Sequence, residues 1–260
     1  MALSPSAFEL TGRFAVVTGA ARGIGAAVAE AFARFGADVA VCDRDADGLA
    51  RTAEAVRAAG RRAVVGVLDV RDGDAVRAWV EPFDRVDVLV NNAGGGFRAA
   101  FADVTDKGQD ALVRENFTSV THFVRACLPK MTGGGSIVNV TSIEAHRAAP
   151  GFAVYSAMKA AVANLSMSLA LELGDRRIRV NCIAPDVIPT PGIGDVPVRT
   201  PLPYAGHADD VAAAAVFLAS DASRFVTGTT LHVDGGNRAA AGWCRGPGGE
   251  WVTGGEPVGP

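Results

Sequence analysis

Lysine and tyrosine are nearly missing from this chain of 260 residues. Lys107, Lys130 and Lys159 are the only lysines, arginine supplies the other 22 of the 25 basic residues, and Tyr155 and Tyr204 are the only tyrosines. Any close pairing of these two residue types is therefore conspicuous. Cysteine is equally sparse: Cys42, Cys127, Cys182 and Cys244 are far apart and form no C-x-x-C pair, which argues against a metal knuckle or disulfide framework and predicts buried thiols in a reducing compartment. No run approaches the roughly 18 apolar residues of a membrane span, and the opening MALSPSAFELTGR lacks a basic start followed by an apolar core. A cytoplasmic protein without a membrane partner is expected. The net charge of -3 removes the electrostatic argument for a nucleic-acid partner.

What is present is a composition that is 49% hydrophobic and 20% charged, enough to build one large core. Short β-branched runs alternate with alanine-rich stretches of helical spacing. Strands are predicted at Phe14 to Thr18, Asp38 to Cys42, Ala63 to Leu68, Val86 to Asn91, Ser136 to Thr141, Arg179 to Ile183 and Thr229 to Val233. Helices are predicted over 23–36, 46–59, 72–83, 106–131, 155–174 and 208–220. Most of these strands are apolar on both faces, so the expected class is α/β: a single doubly wound, mainly parallel seven-stranded sheet covered by helices on both sides. Its ligand site should lie at the carboxyl ends of the strands, where the strand order reverses. The predicted domain spans 1–237. The proline-rich stretch 185–207 reads as a loop, and 238–260 is a glycine-rich tail, either disordered or docked through Trp243 and Trp251.

Directly after the first strand, Thr18-Gly19-Ala20-Ala21-Arg22-Gly23-Ile24-Gly25 leads into a helix. Glycines here permit a tight turn and the close approach of a pyrophosphate, which free N–H groups and the helix dipole stabilise. Asp43 ends the second strand, 18 residues past Gly25, where a carboxylate can accept hydrogen bonds from both adenosine ribose hydroxyls and repel a 2′-phosphate. That favours NAD over NADP, while Arg22 and Arg44 could pair with a phosphate instead. Asp69 is a candidate for the adenine amino group and Val70 for its ring. Asn91-Asn92-Ala93-Gly94 follows the fourth strand, one asparagine tying strands together and Asn92, Ala93 and Gly94 lying against the cofactor.

Tyr155 stands four residues before Lys159, so on a helix the phenol and the ammonium share one face. A nearby cation favours the phenolate and brings a weak base toward useful proton transfer. Ser142, 13 residues upstream at the end of the fifth strand, can polarise a carbonyl oxygen beside that tyrosine, or cap a turn. Asn116, a mediocre helix former inside a predicted helix, invites a role as a water holder next to Lys159. Glu144, His146 and Phe152 should line the substrate side, His146 as a wall or surface residue and not as a second base.

These motifs, in this order and spacing over residues 10–236, resemble the classical short-chain dehydrogenase/reductase family. The resemblance implies a Rossmann-type fold and hydride transfer between NAD(H) and a secondary alcohol or ketone, with alicyclic, steroid-like and hydroxyacyl-thioester molecules as the candidate substrates. It also implies Asn116 as proton relay, Ser142 as substrate orienter, Tyr155 as acid/base and Lys159 as its activator and ribose ligand. From Asn181-Cys182-Ile183-Ala184-Pro185 it implies Ile188 and Thr190 at the nicotinamide carboxamide. A homotetramer or homodimer is implied as well, and no metal. A cofactor-retaining dehydratase or epimerase and a non-catalytic dinucleotide-binding protein are the alternatives. One departure stands out: where the family usually has glycine after the proline, this chain has Asp186, expected either to need an unusual backbone angle or to add negative charge near the nicotinamide.

Overall fold

The computed structural model describes residues 4–190, 200–245 and 250–253. Every residue of β1 (Phe14–Thr18) is buried, as a strand sandwiched between helices must be. It runs parallel to β2 (Asp38–Asp43) on one side and β4 (Val88–Asn91) on the other, placing Val16 opposite both Ala40 and Leu89. β3 (Ala63–Val67) closes one edge; β5 (Gly135–Val140), β6 (Ile178–Pro185) and β7 (Thr230–Val233) extend the other. The order is 3-2-1-4-5-6-7 with every pairing parallel, the expected seven-stranded sheet. Strand order reverses between β1 and β4, so the loops leaving these two strands diverge and open a crevice at the carboxyl edge.

Alternation along β1 separates two cores. Ala15 and Val17 pack with Phe32 of α1 (Gly23–Arg34), Leu49 of α2 (Ala46–Ala58) and Leu218 of α7 (Ala208–Ala219). Phe14 and Val16 face the other side, against Val76 of α3 (Gly73–Val80), Phe123 of α5 (Ser119–Cys127) and Val162 of α6 (Ala153–Glu172). Phe32 and Phe123 are fully buried, and truncating either to alanine would remove about 3–5 kcal/mol of stability. β3 is less covered: Val65 and Val67 are exposed because an edge strand has a neighbour on one side only.

The helix expected over 106–131 is interrupted. α4 (Asp106–Val113) passes into a π-helical turn at Arg114–Thr118 before α5, and a 3₁₀ turn with Pro129 ends the stretch at Leu128–Lys130. The cause is side-chain competition for backbone carbonyls. Asn116 donates to Leu112 O, Ser119 to Glu115 O and Thr121 to Thr118 O, each bond beginning or ending in this turn.

Cys42, Cys127 and Cys182 are buried as expected, and burial pushes the Cys127 thiol up to about 12; Cys244 is exposed. After β7 the chain makes a short helix, α8 (Asn237–Ala240), and an antiparallel hairpin of β8 (Trp243–Arg245) and β9 (Trp251–Thr253). Part of the expected tail thus has regular structure. Of the loop predicted over 185–207, residues 191–199 lie outside the described residues. No described helix is long and apolar enough to cross a membrane.

Candidate active site

The turn leaving β1 is shaped by close backbone approaches. Gly19 has φ +65°, and a Cβ there would lie 2.8 Å from Ala93 Cα; at Gly25 it would lie 2.1 Å from Gly19 O. Thr18 and Asn92 lock this turn to the end of β4. The Thr18 hydroxyl accepts from Asn92 N and Ala93 N, both at 3.0 Å, and the Asn92 amide donates to Thr18 O and Gly19 O at 3.1 and 3.0 Å. Asn91 plays the strand-tying part, donating to Asn139 Oδ1 at 2.8 Å in a buried chain that continues to Ser166 and Cys182. Arg22 at the N-cap of α1 makes no side-chain cap, so the helix presents uncapped N–H groups to the crevice. Gly25 packs behind the turn and does not line the cavity itself.

A cavity of about 950 Å³ runs from this turn to Tyr155, bordered by Gly19, Asp43, Val70, Gly94, Ser142 and Ile188 among others. Asp43 sits at its far end, one oxygen accepting from Ala21 N at 3.3 Å and the other from Arg44 N at 2.7 Å and Asp45 N at 3.2 Å. The Arg44 guanidinium lies 3.8 Å from Glu115, whereas Arg22 has no polar partner among the described residues. Val70 lines the cavity. Asp69 does not: its carboxylate is turned to Arg71, whose side-chain hydrogen bonds hold it below the usual carboxylate range. The adenine contact expected of Asp69 is therefore not part of the gathered site, because its nearest cation is two residues away in sequence.

At the other end, α6 carries Tyr155 and Lys159 on one face, with Nζ 5.7 Å from the Tyr155 ring centre. Lys159 is only 5% exposed and donates to Val140 O at 3.0 Å; burial pushes its pKa down to about 8, opposed by Cys182 and Glu115. Tyr155 departs from the expectation of an activated phenol. Burial raises its pKa above the ordinary value, with the Ser142 hydroxyl lowering it and Glu144 raising it further. The reason is geometric: the ammonium lies over the ring, while desolvation acts on the oxygen. Ser142 caps a 3₁₀ turn by accepting from Glu144 N at 3.2 Å, and its hydroxyl acts on Tyr155.

Asn116 uses its amide on backbone. It donates to Gly95 O at 2.8 Å and Leu112 O at 2.9 Å and accepts from Gly95 N at 3.1 Å, pinning residues 94–96 over the pair. A Cβ on Gly94 would stand 2.8 Å from Asn116 Oδ1 and 3.0 Å from Lys159 Nζ, and one on Gly96 would stand 3.0 Å from the Tyr155 ring. Glycine at 94 and 96 leaves the side chains beneath in place, whereas a Cβ on Gly95 would meet nothing.

Phe152 and Glu144 line the cavity as expected, Phe152 at 6.4 Å between ring centres from Tyr155. His146 does not. Its ring packs on His232 at 4.8 Å, and burial together with His232 and Arg238 holds its pKa below the usual value. Ile188 and Thr190 border the cavity, Thr190 against Gly23. Asp186 needs no unusual backbone angle, since the described non-glycine residues with left-handed φ are Arg177 and Ala241. Its carboxylate accepts from Asn237 at 2.6 Å and lies 3.7 Å from Arg147, so its charge is partnered. Glu115 and Arg147 escaped the sequence reading. Glu115 could have been suspected from its place beside Asn116; Arg147 carries no motif at all.

The residues present fit a dinucleotide: a turn too tight for a Cβ at Gly19 or Gly25 borders one end of the cavity, beside the uncapped amides that open α1. Comparison with known proteins agrees. A family model described as enoyl-(acyl carrier protein) reductase matches residues 19–238. The chain is 38% identical to the gluconate 5-dehydrogenase of Gluconobacter oxydans over 89% of its length and 97% of that protein. Among solved structures it is similar to carveol dehydrogenase from Mycobacterium avium in complex with NAD (TM-score 0.81, 32% identity, 87% of this chain and 98% of that one). It is likewise similar to a gluconate 5-dehydrogenase from Burkholderia cenocepacia in complex with NADP and tartrate (TM-score 0.85, 35% identity, 90% and 98%). With that family match, those relatives and this arrangement of turn, serine, tyrosine and lysine, the chain belongs to the classical short-chain dehydrogenase/reductase family of NAD(P)-dependent oxidoreductases.

Proposed function

We propose that the protein exchanges hydride between NAD(H) and a secondary alcohol or ketone, with Ser142, Tyr155 and Lys159 acting on the substrate oxygen. The observation that carries this reading is the convergence of the three side chains at the end of one cavity whose other end is the glycine turn and Asp43. When bound, the nicotinamide supplies the hydride acceptor or donor. In oxidation the Tyr155 oxygen takes the hydroxyl proton, Ser142 donates a hydrogen bond to the developing alkoxide, and the Lys159 ammonium stabilises the phenolate. Reduction reverses the proton's direction. Asn116 holds Gly94 and Gly95 beside Lys159, and a water on its remaining Oδ1 lone pair serves as the relay to solvent.

NAD is favoured because Asp43 borders the adenosine end while Arg44, the nearer candidate for a 2′-phosphate, is drawn toward Glu115. The relatives' names fit an alicyclic alcohol as well as a polyol, and Phe152 and Ile188 supply apolar wall on the substrate side. The protein works in the cytoplasm as a homotetramer or homodimer, with Trp243 and Trp251 of the terminal hairpin docked on a neighbouring subunit. These side chains are 51% and 43% exposed in the single chain.

A panel of alicyclic, steroid, polyol and hydroxyacyl alcohols, assayed with NAD and NADP in parallel, tests substrate class and cofactor choice together. Tyr155→Phe is expected to abolish turnover on every active substrate while NADH still binds. An active Phe enzyme overturns the mechanism, and conversion without net NADH formation assigns the chain to epimerisation or dehydration.

A further inference from the structure

Between Ser142 and the start of α6 the chain places an ionic cluster that the hydride-transfer reading does not use. Arg147 holds Glu144 through two nitrogens, at 2.8 and 3.3 Å, and lies 3.7 Å from Asp186, and both acids border the cavity. Glu144 follows β5 and Asp186 follows β6, so one guanidinium spans the two loops that border the substrate side. Asp186 is in turn held by Asn237 at 2.6 Å, in the turn after β7. Three strand-end segments are thereby fastened together around one cation.

We propose that Arg147 is a positioning residue of the active site, cancelling the Glu144 charge that faces Tyr155 and fixing the turn after β5 to the loop after β6. This rests on Tyr155 being the acid/base. The groups that face Tyr155 are few. Lys159 comes from its own helix, Ser142 and Glu144 from the turn after β5, and the uncharged Gly96 backbone from the strap after β4. Asp186 borders the same cavity from the loop after β6, while the buried Cys182 acts on Lys159 from β6, and His146 is turned to His232. Glu144 is thus the anion placed to make the phenolate harder to form, and Arg147 is the cation paired with it. A planar guanidinium can grip Glu144 and reach Asp186 at once; a lysine ammonium offers charge without that fork.

The two contributions separate experimentally. The first readout is the pH dependence of kcat/KM for NAD-dependent oxidation of whichever panel alcohol the enzyme turns over best. The second is the ultraviolet phenolate titration of Tyr155 in a Tyr204→Phe background, where no other tyrosine contributes. Arg147→Met is expected to move the rising limb and the phenolate midpoint upward by about half a pH unit or more, because Glu144 loses its partner. Glu144→Gln should move both downward, and the double variant should return them to the wild-type position. Arg147→Lys should leave the limb in place yet raise the KM for the alcohol roughly threefold or more, since the charge remains and the strut does not. If Arg147→Met unfolds, the Glu144→Gln and Arg147→Lys arms still decide. An unmoved limb in either Glu144→Gln or Arg147→Met, or a double variant that behaves like Arg147→Met, overturns the proposal. An active Tyr155→Phe enzyme overturns the underlying mechanism instead, so the two failures are distinguishable.

Discussion

Lys159 shows at the level of one residue how function is built against stability. It is almost fully buried, its ammonium has Val140 O as a neutral partner, and its pKa falls to about 8. The unfolded chain keeps an ordinary lysine near pH 10.4. Below pH 8 both states are protonated and the folded state carries the whole desolvation penalty. Between pH 8 and the unfolded value the unfolded state binds more protons, so stability rises with pH, and above that range the penalty is gone. Lys159→Met is therefore expected to stabilise the cofactor-free protein at pH 7 by about 2 kcal/mol after allowing for the lost hydrogen bond, while abolishing turnover. Thermal unfolding at pH 7 and pH 10.5 checks this: the gain should be present at the first and absent at the second, and a less stable methionine variant at pH 7 contradicts it. The Tyr155–Lys159 pair was legible because both residue types are rare here and four apart. The phenol's raised pKa was not, since desolvation depends on what covers it. Nor was Arg147, whose meaning depends on Asp186, distant in sequence.

At the scale of elements, strand and helix existence follow from hydrophobic period, but interruptions do not. The stretch 106–131 has helical spacing throughout, and nothing in that period reveals the π turn that brings Asn116 under Gly95. That turn is made by hydrogen bonds to carbonyls, and one of these belongs to a segment 21 residues away. The strand–turn–helix unit at the cofactor end was readable for the opposite reason, because its glycines are consecutive requirements of one local turn. Gly25 gives the sharpest test. A methyl group there would lie 2.1 Å from Gly19 O, an impossible approach, so α1 must shift relative to the turn that precedes it. Gly25→Ala is expected to weaken NADH binding roughly tenfold or more, about 1.4 kcal/mol in calorimetric titration. Gly60→Ala makes the comparison: its Cβ meets nothing, so the cost is confined to local backbone strain at φ +76° and NADH affinity should hold. Equal affinities in the two variants would show that the turn does not set the cradle.

On the scale of the whole molecule, the seven strands bring residues as distant as Gly19 and Ile188 to one edge, and the buried members of both cores end at Ala219. Among the described residues the segment after β7 adds no fully buried apolar side chain to either core, yet Asn237 reaches back to Asp186, so this terminal stretch divides into two parts with different consequences. Its glycines mark 238–260 as a tail, but no local pattern distinguishes Asn237, one residue earlier, as a strut of the site, because its partner lies 51 residues away. A chain ending at Ala241 keeps that strut and loses the hairpin. Its unfolding midpoint should stay within about 2 °C of the full chain, its kinetics should be unchanged, and light scattering should report a smaller assembly if Trp243 and Trp251 dock on a neighbour. A chain ending at Gly235 removes Asn237 and leaves Asp186 the Arg147 guanidinium at 3.7 Å. It should fold around the same cores but show a raised KM for the alcohol, and Asn237→Ala in the full chain should reproduce that rise. Identical kinetics in the Ala241-ended and Gly235-ended chains would mean that the Asp186–Asn237 bond closes a loop without bearing on the reaction.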